Sequence, residues 1–445
     1  MVMEKFGQIE KLYIAILLII FGGIVLHAPL SVGFGTLWPD YDLLIKSWKE
    51  ILMLVAGMIA IFLIYKTKQF KILRDPIIIA IGAYALLHLV LLFFINQGLT
   101  SSLAGLLIDL RYVLFFSLVY IAIRLYPNSR KLFIQVGIAG ALIVLVFGLL
   151  QVFILPHDIL KYIGYNTNTI SPYLTVDQNH AFIRINSTLR GPNPLGAYAS
   201  IVLALIAAAI TGCQVRKDKH KLVVTTVLAA GGVVALWASY SRSALVAAIV
   251  AVGIVLAANT LRKLSAKMWI AIGVILLVII GGLYVFKDSS FMSNVILHEN
   301  PTNIDNISSN EGHIKSLSDG LGTLLRQPLG AGIGSTGSAS LYSSEPLIVE
   351  NQYLFVAHEV GWVGLILFVS IFVAVLIKLW EFRKDWLILG VFASGVGLAL
   401  IGLLLPVWTD DTVSIIWWGL AAVALSTIPI KSVLHRKSPK LSVAR

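Results

Sequence analysis

Long apolar runs recur from one end of the 445-residue chain to the other, and this repetition leaves few folds open. They fall at about 11–28, 48–65, 76–95, 103–123, 132–155 and 194–211. Six more follow at about 222–239, 243–258, 269–286, 353–377, 386–405 and 413–430. A helix needs about 20 mostly apolar residues to cross the hydrocarbon core of a bilayer. The pattern therefore predicts an all-α polytopic membrane protein with about twelve transmembrane helices, residues 1–445 forming a single integral membrane domain. Only 13% of the residues are charged and 58% are hydrophobic, against about 25% and 45–50% in soluble domains. A soluble globular fold is excluded.

The stretch 222–258 is too long for one span, and the polar Ser239-Tyr240-Ser241-Arg242 divides it. Loop charge supports that division. With it, 24 of the 34 Lys and Arg fall in the N-terminus and in 66–75, 124–131, 212–221, 259–267, 378–385 and 431–445. The net charge of +12 then resolves into +18 on one membrane face and −6 on the other. Basic residues stay cytoplasmic, so both termini are expected inside. Most of the basic excess is a topology signal, and nucleic-acid binding is not implied. The first span lacks a convincing cleavage site at 31-SVGFG-35 and is read as retained. A single cysteine, Cys213, excludes internal disulfides and Cys-based metal sites.

Two connections on the acidic face are long, at 156–193 and 287–352, and both are rich in Asn, Ser and Gly. Long loops in compact proteins tend to carry function. The second contains an amphipathic stretch, about 313–326, with Ile314, Leu317, Leu321, Leu324 and Leu325 on one face. It suits a short helix on the membrane surface, a lid over a cavity, or a helix packed on its own loop.

Four arginines stand on that face or at the outer ends of spans: Arg111, Arg184, Arg190 and Arg242. A guanidinium is permanently charged and presents paired donors, which suits diphosphate. The competing reading for Arg111 is a pair with Asp109 or a place at the membrane interface. Glu350-Asn351 ends the second loop where the span at 353–377 begins. The carboxylate is either a simple helix cap or a general base toward a sugar hydroxyl. His313 is a second candidate base, and His358-Glu359 is read chiefly as packing. Asp410-Asp411, adjacent in a short loop, is expected to be solvated, and no His cluster suggests a metal. Gly332-Ile333-Gly334-Ser335-Thr336-Gly337 fits G-x-G-x-x-G but lacks a strand–helix context, so its glycines are read as serving turns or close backbone approach.

In this order and topology the motifs resemble the O-antigen ligase and O-antigen polymerase superfamily of bacterial envelope enzymes. The segments carrying the resemblance are 184-RINSTLRGPNPLGAY-198, 239-SYSRSA-244, 328-PLGAGIG-334 and 350-ENQYLFVAHEVGWVGLILF-368. The resemblance implies a glycosyltransferase-C-like helical fold in the bacterial inner membrane. It also implies metal-independent, cofactor-free, inverting glycosyl transfer on the periplasmic face. The donor would be a glycan on undecaprenyl diphosphate, the acceptor a hydroxyl on another glycan or lipid. A chain-length regulator protein is a further expected partner. Arg190 and Arg242 would hold the diphosphate, with Arg184 and Arg111 auxiliary; Asn351 and Asn193 would position the acceptor.

The ligases resembled carry His-Asn where this chain has Glu350-Asn351, a departure that leans toward a polymerase. The alternatives within the class are an O-antigen ligase and a protein O-oligosaccharyltransferase. Outside it stands a twelve-span transporter, against which the short central loop at 212–221 and the absence of an evident repeat both argue.

Overall fold

The computed structural model describes residues 7–95, 97–176, 179–215, 218–259, 318, 320–322, 325–343 and 345–429. Its helices are α1 Gln8–Gly23, α2 His27–Leu37, α3 Asp42–Lys46, α4 Trp48–Thr67, α5 Pro76–Phe94, α6 Leu99–Leu125 and α7 Arg130–Phe153. A two-stranded antiparallel hairpin, β1 Leu174–Val176 and β2 Asn179–Arg184, follows. Then come α8 Pro192–Thr211, α9 Lys219–Ala238, α10 Arg242–Asn259, α11 Gly337–Ser340, α12 Gln352–Glu381, α13 Trp386–Ile401 and α14 Asp411–Leu425.

Among the described residues nine helical segments are long and apolar enough to cross a membrane, and α13 and α14 are shorter apolar helices. The protein is thus a mostly helical, multi-pass membrane protein. The expected span at 269–286 and the greater part of the amphipathic stretch at 313–326 lie outside the described residues. The hairpin was not expected from the loop composition of 156–193.

Local sequence explains where the helices begin. Asp75, Asp218, Asp385, Asp410 and Asn351 each cap a helix by accepting one or two backbone N–H groups of its first turn, an arrangement worth about 1 kcal/mol per cap. Pro76 and Pro192 occupy first-turn positions, where the missing N–H is not needed. The division inside 222–258 falls at the expected place: α9 ends at Ala238, Tyr240 takes a left-handed φ of 47°, and Arg242 opens α10.

Helices α8, α10 and α13 pack closely on one another through small residues. A Cβ on Gly390 would meet the Leu205 backbone, and one on Gly397 would meet the Ala247 carbonyl at 2.9 Å. Such approach is how helices associate where hydrophobic burial supplies little drive. A second centre lies between α6, α12 and α14, where Trp408, Trp417, Trp418, Phe372 and Tyr112 pack ring against ring at tilted angles, with Trp417 and Trp418 edge to face. Outward-facing residues such as Phe93 and Ile61 are large, apolar and bare, as a lipid solvent requires.

The end of the bundle opposite the long loops is tied by Asp75. Its carboxylate accepts Lys378 Nζ at 2.9 and 3.2 Å and the Tyr120 hydroxyl at 2.8 Å, and Arg124 in turn donates to Tyr120. Burial alone would raise the Asp75 pKa, but the hydrogen bonds from Lys378 and Tyr120 outweigh it and hold the carboxyl below its ordinary value. With its folded pKa depressed, its stabilising contribution is complete above the unfolded value of about 3.9. That contribution is lost as pH falls through the folded value. Asp75→Asn should therefore cost about 1–3 kcal/mol at pH 7. The deficit relative to wild type should shrink below about pH 4, as read by thermal unfolding in detergent at both pH values.

Candidate functional site

At the loop end, the chain leaving β2 runs straight onto the junction between α9 and α10. Arg184 Nε donates to the Ser239 carbonyl at 2.8 Å, its Nη2 donates to Asn193 Oδ1 at 2.6 Å, and Ile185 N–H donates to the Ala238 carbonyl. Two sequence motifs thus become one structural unit, 184–196 docked on 239–244. Ser239 Oγ accepts the Ser241 N–H at 3.2 Å, which shapes the turn that brings half-buried Arg242 to the first position of α10. Gly196 admits this contact: a Cβ there would lie 2.8 Å from both Ala244 Cβ and Ser239 Oγ. The intervening segment is anchored by Ser187, whose N–H donates to Gln151 Oε1 and whose hydroxyl donates to the Val144 carbonyl. Arg190 follows, exposed, at the mouth of this turn.

Opposite Arg190 stands the loop between α13 and α14. Arg190 is among the cations whose charge acts on Asp410, together with Arg111. Burial, together with the adjoining Asp411 carboxylate, raises the Asp410 pKa against the opposing pull of those arginines and of the Val413 N–H. The expectation that Asp410-Asp411 is a solvated pair is corrected. Asp411 pairs with Arg111, with His27 Nε2 at 2.7 Å and with Lys49 Nζ at 3.1 Å, and its side chain is only 22% exposed.

Arg111 is itself buried, does not pair with Asp109, and also donates to the Thr409 carbonyl. Glu50 lies 3.8 Å from Arg111 and 3.2 Å from Lys49, both charges nearly out of solvent. The cluster has a physical reason: Lys49 and Arg111 set against Glu50 and Asp411, with His27 beside Asp411, offset at the end of an apolar bundle the desolvation that each charge alone would suffer. His27, Lys49 and Glu50 were missed in the sequence, and Asp411 was read there as solvated. Their signal was Trp48-Lys49-Glu50, charged residues set at the very start of an apolar span.

The third segment of the site is 328–352. Helix α12 is broken at Gly361, which has φ 67° and ψ −168°. The glycine-rich 328–332 segment inserts there. Ala331 N–H donates to the His358 carbonyl at 2.6 Å, Gly332 N–H to the Glu359 carbonyl at 3.1 Å, and Trp362 N–H to the Pro328 carbonyl at 3.0 Å. Gly330, at φ 82°, leaves room for this approach, since a Cβ would sit 2.7 Å from the Glu359 carbonyl. The 328–332 segment thus mends a helix break, and the G-x-G-x-x-G stretch that continues from it packs on Ser101 and Gly105 of α6.

Beyond it, exposed Glu350 precedes Asn351, which caps α12 by accepting the Tyr353 and Leu354 N–H groups and donates to the Leu403 carbonyl. Gln352 binds the same connection, its N–H donating to the Gly402 carbonyl and its Oε1 accepting the Trp408 N–H. The connection 402–411 therefore joins the Glu350 segment on one side to Arg111 and Asp410 on the other. His313 lies outside the described residues.

An apolar groove of about 570 Å³, lined by Leu26, Pro29, Leu142, Phe147, Leu150 and Thr188 among others, opens on the flank beside these elements. In the chain its lining residues lie close to the site's: Leu26 and Pro29 flank His27, and Thr188 is two residues from Arg190. Among the described residues no group of three His, Cys, Asp or Glu side chains is arranged to hold a metal ion. Chemically, the loop end offers guanidinium groups for an anion, an exposed carboxylate for a proton, and an apolar flank for a chain.

Residues 224–369 match the family model described as O-Antigen ligase. The matched stretch contains the 239–244 junction, the glycine-rich insertion, Glu350 and the broken helix. The match supports the O-antigen ligase and polymerase superfamily for this chain. No curated protein matches the chain significantly.

Proposed function

We propose, from the premise that this multi-pass membrane protein carries an O-antigen ligase domain over residues 224–369, that it polymerises a lipid-linked glycan. The observation that carries the reading is the convergence on one end of the bundle of three segments. These are 184–196 with 239–244, the 402–411 connection, and 350–352. The donor is a glycan on undecaprenyl diphosphate, and the groove beside Thr188 supports lateral approach of its apolar chain from the membrane.

Arg190 and Arg242 hold the diphosphate, with Arg184 orienting Asn193 and the α9–α10 turn. An acceptor sugar hydroxyl attacks the anomeric carbon from the side opposite the diphosphate. The new glycosidic C–O bond forms as the bond to the diphosphate breaks, inverting the centre. Glu350 takes the hydroxyl proton, and undecaprenyl diphosphate leaves with its charge stabilised by the arginines. Asn351 fixes the backbone beside that carboxylate, and His313 is a second candidate for proton transfer. Positive-inside charge supports a loop end that faces the periplasm or cell exterior from the bacterial inner membrane. Membrane lipids surround the bundle, and a chain-length regulator protein is the natural partner of a polymerase.

Ligation is the second reading, favoured by the description of the matching family; Glu350-Asn351 in place of His-Asn favours polymerisation. Arg190→Ala and Arg242→Ala should each lower transfer from a lipid-diphosphate donor about 10²–10³-fold, with melting temperature retained. Wild-type rates in both would refute the diphosphate site.

A further inference from the structure

Glu359 is a carboxylic acid sealed inside the bundle, 1% exposed, and the proposed reaction makes no use of it. Ionisable groups at such depth are costly and are kept where they serve a purpose. It faces Asp109 of α6, whose carboxylate lies 3.6 Å from His88 Nε2 of α5. His88 Nδ1 lies 2.8 Å from the Tyr84 carbonyl, so the three helices share one polar island.

The island has an outlet toward the loop end. Glu359 Oε1 accepts the Thr336 N–H at 3.2 Å. Thr336 Oγ1 then donates to the Leu347 carbonyl at 3.1 Å, and the Gly337 N–H donates to the same oxygen at 2.9 Å. Ser340 Oγ donates to that carbonyl at 2.9 Å and accepts the Leu347 N–H at 3.0 Å. Ser101 of α6 supports the turn from beneath, its single hydroxyl proton shared between the Gly334 and Ala339 carbonyls at 2.7 and 2.9 Å. Leu347 stands three residues before Glu350, and on the other side Asn351 and Gln352 are bound to 402–408. Glu350 is therefore suspended between two clamps, and the first is rooted in the Glu359 carboxyl.

We propose that Glu359 is a positioning residue for Glu350: it holds the Thr336–Ser340 turn, which grips Leu347 and so sets where the Glu350 carboxylate stands. The inference rests on the reading of Glu350 as the base. Its distinguishing consequence is that the role needs an acceptor oxygen and no charge. Glu359→Gln keeps a carbonyl oxygen for the Thr336 N–H and offers an amide to Asp109, whereas Glu359→Leu removes both.

Hydrogen–deuterium exchange and steady-state transfer on the full-length protein in detergent test this. In Glu359→Leu, the Thr336, Gly337 and Leu347 amides should exchange about tenfold faster and kcat should fall about tenfold, with donor KM unchanged. Glu359→Gln should stay within about threefold of wild type in both. Wild-type exchange and kcat in Glu359→Leu would overturn the proposal. So would a Glu359→Gln enzyme that loses turnover as completely as Glu359→Leu. If Glu359→Leu does not fold, Ser340→Ala loosens the same grip on Leu347 while leaving the Glu359 side chain in place. It should then show the same pattern more mildly, and wild-type behaviour there would overturn the proposal. Full transfer by Glu350→Gln would instead strike the assignment of Glu350, a result separable from the amide exchange.

Discussion

Glu350→Gln should lower glycan transfer about 10²–10⁴-fold, the range that a positioned general base supplies, while leaving melting temperature and membrane insertion as in wild type. The expected separation of activity from stability comes from the residue's surroundings. Glu350 is exposed, and the amide is nearly isosteric with the carboxylate. The backbone on either side is held by other groups: Leu347 by Thr336 and Ser340, Asn351 by its own cap and by Leu403. What the substitution removes is the capacity to take a proton. Measuring transfer and thermal unfolding on the same preparation checks both halves. Undiminished transfer would remove Glu350 from the chemistry.

Arg111→Met should destabilise the protein by about 3–5 kcal/mol, the cost of leaving buried charges without their partner. Arg111 links α6 to the 402–411 connection through Asp411 and the Thr409 carbonyl and stands 3.8 Å from Glu50. Without it, among the described residues, Glu50 and Asp411 keep Lys49 as their cationic neighbour, and Asp411 keeps His27 at 2.7 Å. Because these groups act as one network, Arg111→Met combined with Asp411→Asn should cost less than the sum of the single changes, by about 1 kcal/mol or more. Denaturation in a detergent series measures the cycle. An Arg111 acting only as a diphosphate ligand predicts the reverse pattern, with melting temperature retained and donor affinity lost.

The helical frame was legible because its signal is local. Apolar runs show the spans, Asp75-Pro76 and Gly191-Pro192 mark helix starts, and Ser239–Arg242 divides two helices that composition alone would fuse. The charged cluster was not legible. Its members, His27, Lys49, Glu50, Arg111 and Asp411, are spread over nearly 400 positions, and nothing adjacent to Asp411 announces an arginine three hundred residues away. The same holds for Glu359, which reads as packing within its helix and becomes an anchor only when the glycine-rich segment folds back on Gly361. Arg184 was legible as part of a motif, but its partners, Asn193 and the Ser239 carbonyl, required the docking of two motifs. Local pattern thus singled out the arginines and Glu350 as candidates, and tertiary contact separated the exposed Arg190 from the buried Arg111.

The most direct measurement incubates the purified protein with a lipid-linked repeat unit as the sole glycan and sizes the carrier-bound products on a gel. A polymerase yields a ladder of products spaced by one repeat, and Glu350→Gln yields none. Absence of any product until a different acceptor is supplied would contradict polymerisation and leave the protein a ligase.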